Sequence, residues 1–211
     1  VRVAVLSLTR DRLNYTKHCF DSLRRLAGCV YDHYVWDNGS TDGTAEWLTE
    51  NRDRFFVTAR LSDNLGISRA MNELLRIVER ETQPPYEPYD VVVKIDNDCE
   101  LVTPNTLLDV CDLVHRYGLL LSPQILGLRN PPVTLGRPIS LGGILVDEKA
   151  QIGGIFLAAP ASLYDTFRYH VGNPVWGGDD VEICAHWRSQ GGQCGYVQGI
   201  QANHYLSTEG Q

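Results

Sequence analysis

Short apolar runs alternate with helix-periodic stripes through the first half of the chain, and few architectures accept that order. Residues 3–8 (VAVLSL) suit a strand buried on both faces. Tyr15, Cys19, Leu23 and Leu26 then recur at helical spacing, with Gly28 as a helix stop. Residues 31–36 predict a second strand that ends in the turn-rich DNGSTDGT; a short helix over 44–51 and a third strand over 55–61 follow. Ile67, Ala70, Met71, Leu74, Leu75 and Val78 form the apolar stripe of another helix. Pro84, Pro85 and Pro88 interrupt the chain before residues 91–96, the clearest buried strand, and a helix over 106–117 leads to the apolar residues 119–121. Repeated strand–helix–strand units predict an α/β fold, Rossmann-like, with a mostly parallel central sheet flanked by helices. In such sheets ligands bind beyond the carboxyl ends of the strands. The polar clusters after Leu8, Trp36, Leu61 and Ile95 are therefore expected on one edge.

In the second half, residues 141–146 and 154–159 read as strands separated by the polar residues 147–151, and residues 161–167 as a short helix. Residues 180–190 read as an amphipathic helix with Val181, Cys184 and Trp187 on one side and Gly191 as its stop. No repeat marks a boundary, and 211 residues suit one well-filled domain, 1–211, better than two. The formal charge of -7 disfavours a nucleic-acid backbone as main partner without excluding one, since a local basic patch overrides a net charge. It suits an anionic substrate that arrives with a divalent cation. None of the six cysteines forms a C-x-x-C pair, so reduced, mostly buried thiols are expected instead of a zinc site. No apolar run reaches the ~18 residues of a membrane helix, and the start lacks a signal-peptide pattern. A soluble cytoplasmic protein, or one peripheral to a membrane, is the expectation. The start at Val1 without Met also fits one domain of a longer protein.

The sharpest chemical motif is KIDNDCEL. Asp96 and Asp98, two carboxylates at i and i+2 where a strand enters a loop, can face one cation, and oxygen ligands with open positions suit Mg2+ or Mn2+ shared with substrate phosphates. A solvated turn is the competing reading. A calcium loop fails, because Leu101 and Leu107 stand where Gly and Glu are required. Asp37 closes the second strand, where a carboxylate can accept from a nucleobase or ribose, while Asp42 and Thr44 cap the next helix. In DNLGISRAMN, Asn64 and Gly66 fit a tight turn into a helix whose amino end faces an anion; Arg69 reaches a phosphate or sugar, or is simply exposed. In GGDDVEI, Asp179 and Asp180 start a helix, where either capping or a general base explains them. Trp176 stacks on a sugar or packs. His204 is structural unless it shares a metal.

Taken in order, VAVLSLTRDR, DNGSTDGT, NLGISRAMN, KIDNDCEL and GGDDVEI, followed by a late His, resemble glycosyltransferase family 2, the inverting group with the GT-A fold. They span residues 3 to about 204. The resemblance implies a metal-dependent hexosyltransferase that moves a sugar from a nucleoside-diphosphate sugar, a UDP-sugar in the first instance, to a carbohydrate or other hydroxyl acceptor. It assigns residues 1–100, approximately, to a nucleotide-binding half and the remainder to an acceptor-binding half. Thr9 and Arg10 would border the nucleotide, Asp37 would accept from the base, and Asn64, Gly66 and Arg69 would flank the nucleotide-sugar. Asp96 would lie near the ribose or metal, Asp98 would be the main ligand of Mn2+ or Mg2+, and His204 a further one. The family's Glu-Asp acidic pair is Asp179-Asp180 here, with Asp180 matching the base by position. Residues 153–156 would run beneath the donor sugar.

Rival readings meet specific obstacles. A dinucleotide oxidoreductase lacks its G-x-G-x-x-G after the first strand. A nucleotidyltransferase needs a glycine-rich loop ending in lysine there, and TRDRLNYTKH has no glycine. A non-catalytic nucleotide-sugar or glycan-binding relative of the same fold is the remaining alternative.

Overall fold

The apolar runs become strands and the stripes become helices in the computed structural model, which describes residues 1–60, 63–82, 87–128, 132–172 and 178–205. The first half runs β1 (Val3–Thr9), α1 (Leu13–Leu26), β2 (Asp32–Asp37), α2 (Thr44–Glu50), β3 (Val57–Arg60), α3 (Ile67–Glu81) and β4 (Val91–Ile95). Leu61, Pro84, Pro85 and Trp176, with the expectations attached to them, lie outside the described residues. β5 (Cys99–Leu101), α4 (Thr106–Tyr117), β6 (Leu120–Leu126), β7 (Ile139–Leu141), β8 (Ile144–Lys149) and β9 (Phe156–Pro160) follow. A 3-10 turn over Ala161–Asp165, α5 (Asp179–Ser189) and β10 (Cys194–His204) complete the order.

The ten strands of the described residues join one sheet in the order β3-β2-β1-β4-β9-β6-β10-β8-β7, with β5 on the side of β10. β1 lies between two parallel neighbours, pairing Thr9 with Asp37 of β2 and Leu6 with Lys94 of β4. The chain builds outward from β1 to β3 and then returns to add β4 on the opposite side. That reversal leaves a crevice at the carboxyl ends of β1 and β4, where open α/β sheets hold ligands. Beyond β4 the sheet is mixed. β9 runs antiparallel to β4, pairing Phe156 with Ile95, so residues just before β9 reach the same edge. β10 is parallel to β6, and its far end pairs His204 with Cys99 of β5. Its carboxyl end therefore reaches that edge too.

The helix stripe on α3 is core as its spacing implies: Ala70, Met71, Leu74, Leu75 and Val78 are all buried. Two expectations need correction. Residues 141–146 are two strands of a hairpin, because Gly142 (φ 58°) and Gly143 (φ 92°) supply the two positive φ angles of a tight turn. On α5 the expected face holds for Cys184, which is buried, and for Trp187, which packs against the core, but Val181 is 47% exposed and Ile183 is buried with Asp179 in its place. The anchored carboxylate of Asp179, one turn before Ile183, sets that face. The polar stretch around His204, for which spacing gives no element, belongs to the eleven-residue β10, whose register against β6 shifts between Val197 and Gln201. Of the six cysteines, all are free thiols, five are buried and Cys29 is half-buried. Among the described residues no helix is long and apolar enough to cross a membrane.

Candidate active site

The first wall of the crevice comes from the ends of β1 and β2. Parallel pairing sets Thr9 beside Asp37, and its hydroxyl donates to Asp37 Oδ1 at 2.9 Å. The backbone N–H of Ser40 donates to Asp37 Oδ2 at 3.2 Å, and the Ser40 hydroxyl donates to Oδ1. With 1% exposure and three donors, Asp37 braces the β1 and β2 ends against the loop beyond them. Next to it, Asn38 donates to Asn64 Oδ1 at 2.7 Å and accepts from the Leu65 N–H at 2.9 Å. Asn64 Oδ1 also takes the Gly66 N–H at 2.9 Å, closing a turn that needs the positive φ of Gly66 (77°) before α3 begins.

The floor is the end of β4. Lys94 points out of the strand while only 2% exposed, and its ammonium meets Asp96 Oδ1 at 2.8 Å, the Gly154 carbonyl at 2.6 Å and Asp179 Oδ2 at 3.2 Å. Burial would lower the lysine's pKa, but the two carboxylates outweigh it and hold the side chain firmly charged. Burial raises the Asp96 pKa, Lys94 pulls it down, Asp98 and Asp179 push it up, and the net direction is upward. Asp98 is 6% exposed, with Arg12 Nη1 at 2.6 Å and His204 Nε2 at 3.5 Å, both from its Oδ2. The meeting of Asp98 and His204 follows from strand register. β5 and β10 pair Cys99 with His204, and the Tyr205 N–H donates to the Asp98 carbonyl at 3.0 Å. Arg12 reaches Asp98 from a loop in which Asp11 (φ 54°) and Arg12 (φ 61°) both take the left-handed conformation.

A hard divalent cation fits this pair. Ligand bonds of about 2.1 Å put cis ligands about 3 Å apart, close to the observed Asp98–His204 separation. The Arg12 guanidinium already marks the spot as one that needs positive charge. His204 Nδ1 is buried with no hydrogen-bond partner among the described residues, so no protein group commits the ring elsewhere. The expected three-ligand set is only partly assembled. Among the described residues no three His, Cys, Asp or Glu side chains gather in metal-binding geometry, and Asp96 turns its Oδ1 to Lys94.

The opposite wall is the first turn of α5 and the loop before β9. Asp179 is 6% exposed; burial would raise its pKa, and the Lys94 charge overrides this and lowers it. Asp180 is half-buried and accepts the Val181 N–H at 2.9 Å. Two adjoining hollows result. One, of about 200 Å³, is lined by Thr9, Arg10, Arg12, Asn64, Asp96 and Asp98. The other, of about 310 Å³, is lined by Lys94, Asp96, Gly154, Asp179, Asp180 and His204. Asp96 and Ile67 stand on the seam between them. A larger hollow, about 380 Å³, opens at the amino end of β2 among Phe20, Trp47 and Phe55 and contains none of the predicted residues.

Thr9, Arg10, Asn64, Asp96, Asp98, Asp179, Asp180 and His204 thus meet at one edge. Gly66 shapes the turn beneath them, Asp37 lies buried just behind, and Arg69 is exposed on α3 outside the lining of both hollows. Sequence reasoning passed over Lys94, Arg12 and Asn38. A lysine inside the apolar run VVVKI was the available signal for the first, since a charge in a strand buried on both faces needs a partner.

The sequence matches the profile described as Glycosyl transferase family 2 over residues 5–123, more than half of the chain. No curated protein matches it. Solved structures with the same fold include GalNAc-T7 with UDP, GalNAc and Mn2+, at a TM-score of 0.73 and 14% identity over 99% of this chain and 44% of that one. The mannosyltransferase PcManGT from Pyrobaculum calidifontis, in complex with GDP-Man and Mn2+, gives 0.68 at 15% identity, covering 99% of this chain and 58% of its own. S. aureus TarS 1-349 in complex with UDP-GlcNAc gives 0.71 at 14% identity, covering 98% and 60%. The chain therefore spans about half the length of these structures, and at such identities the likeness is one of fold.

Proposed function

The chain belongs to glycosyl transferase family 2, and on that premise we propose that it is a metal-dependent, inverting transferase that moves a sugar from a nucleoside diphosphate, UDP in the first instance, to an acceptor hydroxyl. The observation that carries the reading is the division of acids across the seam. Asp98 sits with His204 at 3.5 Å on one side, and Asp180 faces the neighbouring hollow on the other. Two structures of the same fold hold UDP with GalNAc, or GDP-Man, together with Mn2+.

In this reading Asp98 and His204 would hold a divalent cation. When bound, the cation supplies positive charge against the leaving diphosphate. The hollow bordered by Thr9, Arg10 and Asn64 takes the nucleotide, while Arg12, released from Asp98, adds a second positive charge nearby. Asp180 accepts the hydrogen bond of the acceptor hydroxyl and takes its proton as that oxygen attacks the anomeric carbon. Attack from the Asp180 side, opposite the diphosphate, inverts the centre. Asp179 cannot share this work on equal terms, since Lys94 holds its carboxylate.

The test is a screen of UDP- and GDP-sugars for slow hydrolysis in Mn2+, with Asp180→Asn in parallel. The reading expects hydrolysis of at least one donor and a variant that still binds UDP while losing about 100-fold in rate. A chain that hydrolyses none of the donors and binds no nucleoside diphosphate contradicts it, and is the outcome for a non-catalytic glycan-binding relative.

A further inference from the structure

A lysine buried in the middle of a sheet is costly unless each of its donors is satisfied. Lys94 draws on three different segments of chain: it donates to Asp96 at the end of its own strand and to the Gly154 carbonyl before β9, and it forms an ion pair with Asp179 in the first turn of α5. These are the segments that form the floor, the side and the far wall of the second hollow. The contact also depends on a missing side chain. A Cβ on Gly154 would lie 3.1 Å from both Lys94 Nζ and Asp179 Oδ2, and 3.4 Å from Asp180 Cβ. A residue larger than glycine there pushes apart the very groups that the ammonium draws together.

We propose that Lys94 is a positioning residue for the transfer step: by tying Asp179 to Asp96 and Gly154 it fixes the first turn of α5 and so holds Asp180 toward the acceptor. The inference rests on the reading of Asp180 as the base. It gives the acidic pair unequal duties, Asp179 as the anchor and Asp180 as the proton acceptor, and it links the two hollows through one ammonium. Removing Lys94 leaves the buried carboxylate of Asp179 and the partly exposed one of Asp96 without a counter-charge between them, and their repulsion moves the α5 turn while Asp98 and His204, which Lys94 does not touch, stay in place. The signature is therefore a loss in turnover without a loss in nucleotide affinity. A purely architectural lysine would degrade both in proportion to the fraction unfolded.

The experiment compares wild type, Lys94→Met, Lys94→Met with Asp179→Asn, and Gly154→Ala. Each is titrated with UDP in Mn2+ by calorimetry and assayed for hydrolysis of whichever UDP- or GDP-sugar the wild type turns over fastest, at saturating donor. Lys94→Met is expected to bind UDP within threefold of wild type and to hydrolyse donor about 30-fold more slowly. Adding Asp179→Asn, which removes the repulsion, is expected to restore about fivefold. Gly154→Ala keeps the lysine and all charges; it covers the case in which Lys94→Met does not fold, and is expected to lose three- to tenfold in rate at unchanged affinity. Full turnover per folded molecule in Lys94→Met or Gly154→Ala, or parallel losses of binding and turnover, overturns the inference while leaving the assigned function standing. A wild-type chain that neither binds UDP in Mn2+ nor hydrolyses a donor overturns both.

Discussion

Asp179 and Asp180 are adjacent and chemically identical, yet the proposed division of labour gives them opposite consequences when each is replaced by asparagine. Asp179 is 6% exposed and lies 3.2 Å from Lys94. Its pKa is lowered despite burial, so its charge stabilises the fold at neutral pH and is lost as the pH falls through the depressed value. Removing one partner of a buried ion pair costs ~3–5 kcal/mol. Lys94 keeps Asp96 and the Gly154 carbonyl, so about half of that, ~2 kcal/mol, is expected for Asp179→Asn. In a chain of this length ~1 kcal/mol moves Tm by ~2–4 °C, which puts the drop at about 4–8 °C. Asp180 is half-buried and accepts the Val181 N–H, a bond an asparagine oxygen also accepts. Its replacement is expected to shift Tm by less than about 2 °C, since no ion pair is broken. Donor hydrolysis should fall about 100-fold in Asp180→Asn through loss of the base, and less than tenfold in Asp179→Asn. Thermal scans and a hydrolysis assay on the same samples read both quantities. An Asp179→Asn variant with unchanged Tm and abolished hydrolysis, beside an active Asp180→Asn, would refute the division of labour.

Two further predictions concern the scaffold. His33 is 5% exposed against Ser7 Oγ at 3.0 Å, and burial lowers its pKa from 6.5 to about 3. The unfolded chain then binds the extra proton between those values, so stability is full above pH 6.5 and declines as the pH falls toward 3, by up to about 5 kcal/mol. Urea titrations across that range should show the decline in wild type and a flatter acid limb in His33→Gln; parallel curves would contradict it. Gly195→Ala should cost ~1–3 kcal/mol by overpacking. The new Cβ would lie 2.6 Å from Val146 Cγ1 and 2.8 Å from the Asp147 carbonyl oxygen. An unchanged urea midpoint would refute the register of β10 against β8.

Local signals were enough where a residue's role depends on its own segment. The apolar run of β4, the stripe on α3 and the turn chemistry of Asn64 and Gly66 all follow from spacing and composition, and they sufficed to place the acids on one edge. What escaped depends on partners far along the chain. β10 carries glutamine, glycine and asparagine, and only its neighbours β6, β8 and β5 make it a strand. Val181 escapes for the same reason: its spacing with Cys184 and Trp187 carries no trace of the Asp179–Lys94 pair at the start of the helix. Asp37 was legible as a strand-end carboxylate, but its occupation by Thr9 and Ser40 was not. Lys94 was visible as an oddity in an apolar run; its three partners sit 2, 60 and 85 residues away in sequence.

The central claim is that Asp98 and His204 hold a cation on which nucleoside-diphosphate binding depends. Calorimetric titration of UDP into wild type and Asp98→Asn, each with Mn2+ and with chelator, addresses it directly. Arg12 is the partner that Asp98 gives up, and its side chain is 42% exposed, so the variant should remain folded. The account predicts UDP binding by wild type in Mn2+, little in chelator, and a loss of about 100-fold or more in Asp98→Asn. Equal UDP affinity with and without metal, or an Asp98→Asn variant that binds as wild type does, would contradict it.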